Sequence, residues 1–155
     1  GGQNTALGRN ALATNTASNN VAVGYEAAFS NTSGVGITAI GFQALKANTT
    51  GINNTAIGSS ALLSNTTGTQ NAGVGGASLM FNVTGSQNSA LGDNTQSGNF
   101  NGSVILGKNA ASTASNQFVV GSASVNAGAV TAAPTTQSKY WDVVINGVNE
   151  RILLA

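Results

Sequence analysis

Side chains capable of acid–base or metal chemistry are scarce in this sequence. The chain of 155 residues lacks cysteine, and it lacks histidine, which is the commonest general base and metal ligand. Its carboxylates are Glu26, Asp93, Asp142 and Glu150. Glycoside hydrolysis needs two carboxylates at a set separation, but the last two, which share one predicted element, are expected to pair with Lys139 or Arg151 instead. We therefore predict no enzyme activity, no metal and no cofactor.

Two further patterns could indicate ligand binding, and neither is convincing. The segment Gly73–Gly76 is rich in glycine, but the lysine and long helix of a phosphate-binding loop do not follow it. The five basic residues are scattered at a net charge of +1, whereas nucleic-acid binding needs a basic stripe. No apolar run approaches the roughly 18 residues of a membrane span. The sequence therefore predicts no nucleic-acid binding and no membrane insertion.

The strongest pattern is a periodic series of glycines. Each follows a branched aliphatic residue, and successive members are 16, 17, 17, 17, 17, 15 and 14 residues apart. A fixed period indicates one supersecondary unit stacked many times. Glycine adopts positive φ without a Cβ clash, so each is predicted to end a strand and turn a corner. These structural turn glycines are Gly8, Gly24, Gly41, Gly58, Gly75, Gly92, Gly107 and Gly121.

Each repeat predicts two short strands and two corners. Runs such as Thr55–Ile57 are typical of strands, and in them Thr and Ile share one face while Ala occupies the other. Segments such as Asn48–Gly51 combine residues that favour turns. The stretches Glu26–Phe29 and Ser60–Ser64 are too short for stable helices, so we predict a second strand there, or at most one helical turn. The predicted fold class is all-β, a parallel β-solenoid of 14–17-residue coils.

The coils are thin, and this predicts assembly of several chains. The interior is expected to be a single file of Leu, Val and Ile, to which the Ala positions add little volume. Small residues are evenly distributed, so neighbouring chains can approach closely. We therefore predict a homotrimer of chains side by side about a common axis. Eight coils at about 4.8 Å each give a length on the order of 40 Å.

Asparagines recur at two phases of the repeat. Stacked amides form hydrogen-bonded ladders, and the sequence predicts such a ladder for Asn4, Asn20, Asn54, Asn71 and Asn88. A second set forms Asn-x-Ser/Thr sequences that we interpret as turn residues and not as glycosylation sites: Asn31, Asn48, Asn65, Asn82 and Asn101.

Two aromatic residues occupy equivalent places on adjacent coils. Tyr25 and Phe42 each follow a turn glycine directly. An aromatic shelf of this kind can bind sugar rings by stacking. Packing between chains, or under a turn, is the favoured interpretation.

The repeat unit resembles two known families. The runs Asn54–Gly58 and Asn20–Gly24, with the Ala and turn that follow, resemble the head repeats of trimeric autotransporter adhesins. The longer unit, with Ala61–Gly68 after the strand, is similar to phage tail-fibre repeat proteins. The resemblance covers residues 3–121 and implies a homotrimeric, left-handed parallel β-roll. It also implies a rigid, protease-resistant spacer or receptor-binding fibre.

Composition divides the chain into three predicted parts. Residues 1–121 form a solenoid shaft of about eight coils, although the last coils shorten and lose the Asn-Thr-Thr-Gly turn, which argues against regular stacking there. Residues 122–138 contain the only proline and are predicted to be a linker. Residues 139–155 flank Asn146-Gly147 and predict a C-terminal β-hairpin, which is a cap and trimerisation element or, alternatively, a receptor-binding tip. Its candidate cap or tip residues are Tyr140, Trp141, Asp142, Glu150 and Arg151.

These features together predict a structural virion protein, a trimeric fibre or spike of a tail or capsid on the virion surface. Its predicted partners are sister chains, other virion proteins, and a host cell-surface glycan or protein reached through the fibre or its tip. The alternative is the head domain of a trimeric adhesin on a bacterial cell surface. An ice-binding solenoid is disfavoured because Thr49-Thr50 and Thr66-Thr67 lie in predicted turns. The chain begins at Gly1 and not at methionine, which predicts a fragment or a processed piece.

Overall fold

Short parallel strands, stacked one per coil, form the fold. The computed structural model describes residues 2–121 and the segments 140–145 and 148–153. Eight strands of three residues each are β1 (Thr5–Leu7), β2 (Val21–Val23), β3 (Thr38–Ile40), β4 (Thr55–Ile57), β5 (Ala72–Val74), β6 (Ser89–Leu91), β7 (Val104–Leu106) and β8 (Phe118–Val120). They pair in chain order in one parallel sheet, each residue opposite its equivalent in the next coil. The predicted all-β solenoid is confirmed, with about seven turns and no helix among the described residues.

The segment after each turn glycine is a series of β-turns. In the second coil, the amides of Ala27 and Phe29 donate to carbonyls three residues earlier, at 3.4 and 3.2 Å. The amides that alternate with them donate to neighbouring coils: Glu26 donates to the preceding coil at 3.0 Å, and Ala28 donates to the following coil at 2.9 Å. Glu26 and Ala28 have positive φ, of 53° and 50°. Residues 25–31 and their equivalents in the other coils are termed the turn ribbon.

The turn ribbon corrects the prediction of a second strand, or of one helical turn, over Glu26–Phe29 and Ser60–Ser64. A helix needs negative φ at every residue, whereas Ser60 and Leu62 have φ of 57° and 50°. A strand makes no hydrogen bonds within its own segment, whereas the amide of Leu63 donates to the carbonyl of Ser60 at 3.3 Å. Along the ribbon, therefore, one amide donates to a carbonyl of its own coil and the next donates to a carbonyl of a neighbouring coil.

Strands β2 to β7 bury their middle residue and leave the outer two residues exposed or half-buried. Ala39 and Ala56 are fully buried, whereas Ile40 and Ile57 are 38% and 39% exposed. The prediction that the aliphatic residues before the glycines fill the interior is therefore wrong. Leucines from the turn ribbon fill it instead, namely Leu12, Leu45, Leu62 and Leu79. A small strand residue opposite a ribbon leucine suits a coil that is too narrow for two layers of large side chains.

The turn glycines form a column in which backbone contacts backbone. All eight have positive φ, between 74° at Gly121 and 142° at Gly92. A Cβ atom on Gly41 would lie 2.5 Å from the carbonyl oxygen of Gly58 in the next coil. Glycine therefore meets two requirements at these corners, the backbone conformation and the close approach of successive coils.

Asparagine side chains run in file through the interior beside the leucines. The Nδ2 of each donates to the Oδ1 of its equivalent in the preceding coil, at 2.7, 2.8, 2.9 and 3.0 Å in chain order. A second Nδ2 bond reaches the carbonyl of the glycine three residues later, as from Asn65 to Gly68 at 3.0 Å. At the far end, the Ser97 hydroxyl donates to Asn82 Oδ1 at 3.1 Å. This inner amide file comprises Asn15, Asn31, Asn48, Asn65 and Asn82.

The ladder predicted from the other asparagine series is present in two pieces. Asn71 donates to Asn54 Oδ1 through its side chain at 3.2 Å and through its backbone amide at 2.9 Å. Ile37 occupies the equivalent position between Asn20 and Asn54, and its amide donates to Asn20 Oδ1 at 3.1 Å. The apolar residue ends this piece of the ladder, because its side chain has no oxygen to accept a bond from the next coil.

The final coils stay in register although they shorten. Leu91 pairs with Leu106, and Leu106 pairs with Val120. An isolated parallel bridge joins Gln96 to Ala111. Regular stacking therefore continues to β8, contrary to the expectation drawn from the lost turn motif.

Two further strands pair antiparallel in the C-terminal part. They are β9 (Tyr140–Ile145) and β10 (Val148–Leu153), and their register sets Asp142 opposite Arg151. The predicted turn between them and the predicted linker over 122–138 lie outside the described residues.

Candidate functional site

The outward face of the sheet carries a continuous column of aliphatic side chains. Strand alternation places the residue before each turn glycine on this face. The column consists of Leu7, Val23, Ile40, Ile57, Val74, Leu91, Leu106 and Val120, all exposed or half-buried. None of the eight strands contains a charged residue. A long apolar surface of this kind is typical of an interaction site. It is termed the aliphatic column.

A second surface feature is an aromatic pair at the corner of the second and third coils. The rings of Tyr25 and Phe42 stack with centroids 5.5 Å apart and planes inclined by 13°. Tyr25 is 37% exposed and Phe42 is 50% exposed. The pair is therefore not packed under a turn of its own chain, which leaves packing between chains and ring binding as the predicted roles.

An ion pair lies beside the aromatic pair on the turn ribbon. Lys46 Nζ is 2.7 Å from Glu26 Oε2, and Gln43 Nε2 donates to the same oxygen at 3.0 Å. Hydrogen bonds from Lys46, and then from Gln43 and Tyr25, lower the pKa of Glu26 from its ordinary 4.5 to about 2. These four residues and Phe42 are termed the aromatic–ionic cluster. Next to it, a shallow depression of about 360 Å³ is lined by Ser30, Gln43, Lys46, Ala47, Leu63 and Ser64.

Sequence reasoning missed this ion pair, although a signal for it existed. Glu26 and Gln43 occupy the same place in successive coils, 17 residues apart, and Lys46 lies three residues after Gln43. Adding the period to Glu26 leads to Gln43, three residues before Lys46, and so places the three side chains on one part of the ribbon. The other acidic residue of the shaft, Asp93, lies beside Gly76 of the preceding coil, where an added Cβ atom would lie 2.7 Å from Asp93 Oδ1.

Acid titration of Glu26 tests the cluster. Because the folded pKa is below the ordinary one, the contribution of Glu26 to stability is complete above 4.5 and is lost as pH falls through about 2. Labelling with ¹³C-glutamate gives only two side-chain signals, from Glu26 and Glu150. We expect the Glu26 carboxyl to titrate near 2, and in Lys46→Met at a value nearer 4.5.

Lys108→Met, which removes a lysine from a distant coil, is the control and is expected to leave the Glu26 titration unchanged. A Glu26 midpoint near 4.5 in the unmodified chain would contradict the ion pair.

The remaining predicted residues are placed only in part. The candidate cap or tip residues lie on β9 and β10. In the parts of the chain that the structure describes, no three acidic, histidine or cysteine side chains come together as a metal site. Over the same parts, no helix is long and apolar enough to cross a membrane.

Comparison with known proteins gives no relative for this chain. No family model matches it, and neither the curated proteins nor the solved structures contain a match.

Proposed function

We propose that this chain is a structural segment of a homotrimeric fibre or spike on a virion surface, attached to a tail or capsid. Attachment to the host surface takes place along the fibre or at its tip. The observation that supports the trimer is the aliphatic column, which a single chain leaves open to water from β1 to β8. The regular stack of coils supports a rigid, elongated role.

Burial of the aliphatic column provides a driving force for assembly. Covering the exposed part of one isoleucine such as Ile57 contributes about 1 kcal/mol, so the whole column supplies several kcal/mol per chain. Association costs on the order of 4–15 kcal/mol, so several chains sharing one apolar centre are favoured over a small pairwise contact.

The shape of the sheet face favours three chains over two. Each strand presents only two outward side chains, so the face is a narrow ridge along the fibre. In the second outward column, Thr38, Thr55 and Ser89 flank the aliphatic column in the middle coils, whereas Val21, Val104 and Phe118 make this column apolar toward its ends. Three such ridges converging on one axis place the aliphatic columns at the centre and the hydroxyl groups toward the rim. The coils are proposed to wind left-handedly, and β9 with β10 to cap the shaft and hold the three chains together.

The test is the mass in solution of the full chain and of two aspartate variants, measured by light scattering. The unmodified chain is expected to be a trimer that resists detergent before heating. Ile57→Asp places a charge in the aliphatic column and is expected to give monomers. Thr50→Asp, on an exposed turn away from the sheet, is the matched control and is expected to stay trimeric. A monomeric unmodified chain would refute the fibre proposal, whether or not the variants fold.

A further inference from the structure

The surface of the second and third coils departs from the repeat in a way that the fold does not require. Three ribbon positions carry Tyr25, Glu26 and Phe29 in the second coil and Phe42, Gln43 and Lys46 in the third. The same positions carry Ser59, Ser60 and Leu63, then Gly76, Ala77 and Met80, in the next two coils. Those later coils stack in the same register without aromatic or charged groups there. The aromatic–ionic cluster is therefore an addition to the scaffold.

The aromatic pair presents one open ring face. Stacking on Tyr25 covers one side of the Phe42 ring. Beyond Phe42 along the fibre, the equivalent positions are Ser59 and Gly76, which are too small to cover the other side. The half-exposed Phe42 ring thus has a flat apolar surface that faces a gap in the column of side chains.

Polar groups with fixed positions lie beside this ring. The carboxylate of Glu26 is held by Lys46 at 2.7 Å and by Gln43 at 3.0 Å, so it is oriented before any ligand arrives. The adjacent depression adds the hydroxyls of Ser30 and Ser64. A carboxylate, an amide, an ammonium and two hydroxyls provide both donors and acceptors within one small area.

We propose that the aromatic–ionic cluster binds a pyranose ring of a cell-surface polysaccharide. A pyranose has an apolar C–H face, which stacks on Phe42, and a rim of hydroxyls, which bond to Glu26, Gln43 and Lys46. A site of few polar groups around an aromatic surface matches this mixed chemistry. The proposal deepens the attachment role proposed above and rests on it. Repetition of the site around a trimer raises the avidity of single-ring contacts that are weak by themselves.

Saturation-transfer NMR on the full chain tests the proposal, with methyl β-D-galactopyranoside and methyl β-D-glucopyranoside as probes. We expect saturation of the ring C–H protons by at least one of them at millimolar concentrations. Phe42→Ala is expected to weaken binding about tenfold or more, and Glu26→Gln to weaken it several-fold. Phe100→Ala removes a phenylalanine that is 38% exposed in a coil three repeats further along the chain, and is expected to have no effect.

The outcomes separate this proposal from the fibre proposal. Absence of saturation with both glycosides overturns the sugar site, even if the chain is trimeric. Dissociation of the trimer by Phe42→Ala, with glycoside binding unchanged, also overturns it and assigns the aromatic pair to a contact between chains. Glycoside binding by a monomeric chain refutes the fibre and leaves the sugar site standing.

Discussion

Replacing Gly58 by alanine is expected to destabilise the solenoid by about 4 kcal/mol or more. The residue has a φ of 135°, which L side chains rarely adopt, and a new Cβ would lie 2.6 Å from the carbonyl carbon of Gly75. Backbone on both sides of this contact belongs to paired coils, so neither side can move without breaking the stack. The midpoint of urea unfolding, at a fixed chain concentration, measures the loss.

Gly98→Ala is the matched control for that substitution. Gly98 also has positive φ, of 57°, but a Cβ there meets nothing closer than the Phe100 ring at 3.6 Å. The cost is therefore expected to be about 1 kcal/mol, the penalty of the left-handed conformation alone. Equal losses in the two variants would show that φ, and not the approach of successive coils, explains the turn glycines.

Changing Asn65 in the inner amide file is expected to have the second large effect. Its fully buried side chain donates to Asn48 Oδ1 at 2.9 Å and to the Gly68 carbonyl at 3.0 Å, and accepts from Asn82 at 3.0 Å. Asn65→Ala removes three hydrogen bonds and leaves the buried Asn48 Oδ1 without a donor, whereas the Gly68 carbonyl keeps its bond from Asn54 and Asn82 keeps its bond to the Gly85 carbonyl. The expected cost is about 3 kcal/mol. Asn65→Asp also sets a carboxylate against two acceptor oxygens and is expected to cost about 5 kcal/mol at neutral pH.

The pH dependence of Asn65→Asp distinguishes charge from lost packing. Burial raises the pKa of such a carboxyl above its unfolded value, so the destabilisation is greatest at neutral pH and lessens as pH falls. A protonated carboxyl donates one of the two lost bonds. Thr67→Ala, on the exposed side of the same turn, is the control and is expected to stay within about 0.5 kcal/mol of the unmodified chain. Equal stability of the aspartate and alanine variants at neutral pH would contradict the proposed directionality of the file.

The repeat, the strand positions and the corners were predictable from sequence because each turn glycine follows a branched aliphatic residue at a nearly constant spacing. The inward face of the strands was not. In a run such as Thr38–Ile40, one face carries a small alanine and the other an apolar isoleucine, so either face could be buried. Which face is buried depends on the side chains across the interior of the coil. Here Leu45 and Leu62 approach from the turn ribbon, and the strand has room only for alanine.

The turn ribbon itself gave no recognisable signal in the sequence. Positive φ is usually marked by Gly or Asn, yet here Leu45, Leu62 and Ala28 adopt it. The compensation is long-range, because each such residue sends its amide to the neighbouring coil, as Leu45 does to Ala61 at 3.0 Å. Local propensity cannot predict a conformation that only stacked neighbours stabilise. The ion pair between Glu26 and Lys46 also forms only once the coils are stacked, but there the 17-residue period offered a signal that local propensity does not.

The inner amide file also gives the shaft an electrical direction. From Asn31 to Asn82, every carboxamide donates its N–H to the preceding coil, and its C=O accepts from the following one. Their dipoles therefore add along the fibre, as peptide dipoles add along a helix, with the positive pole at Asn15 and the negative pole at Asn82. Each rung polarises the next, and a coil stacked in reverse would set donor against donor. The shaft thus has an intrinsic head and tail, independent of what either end binds.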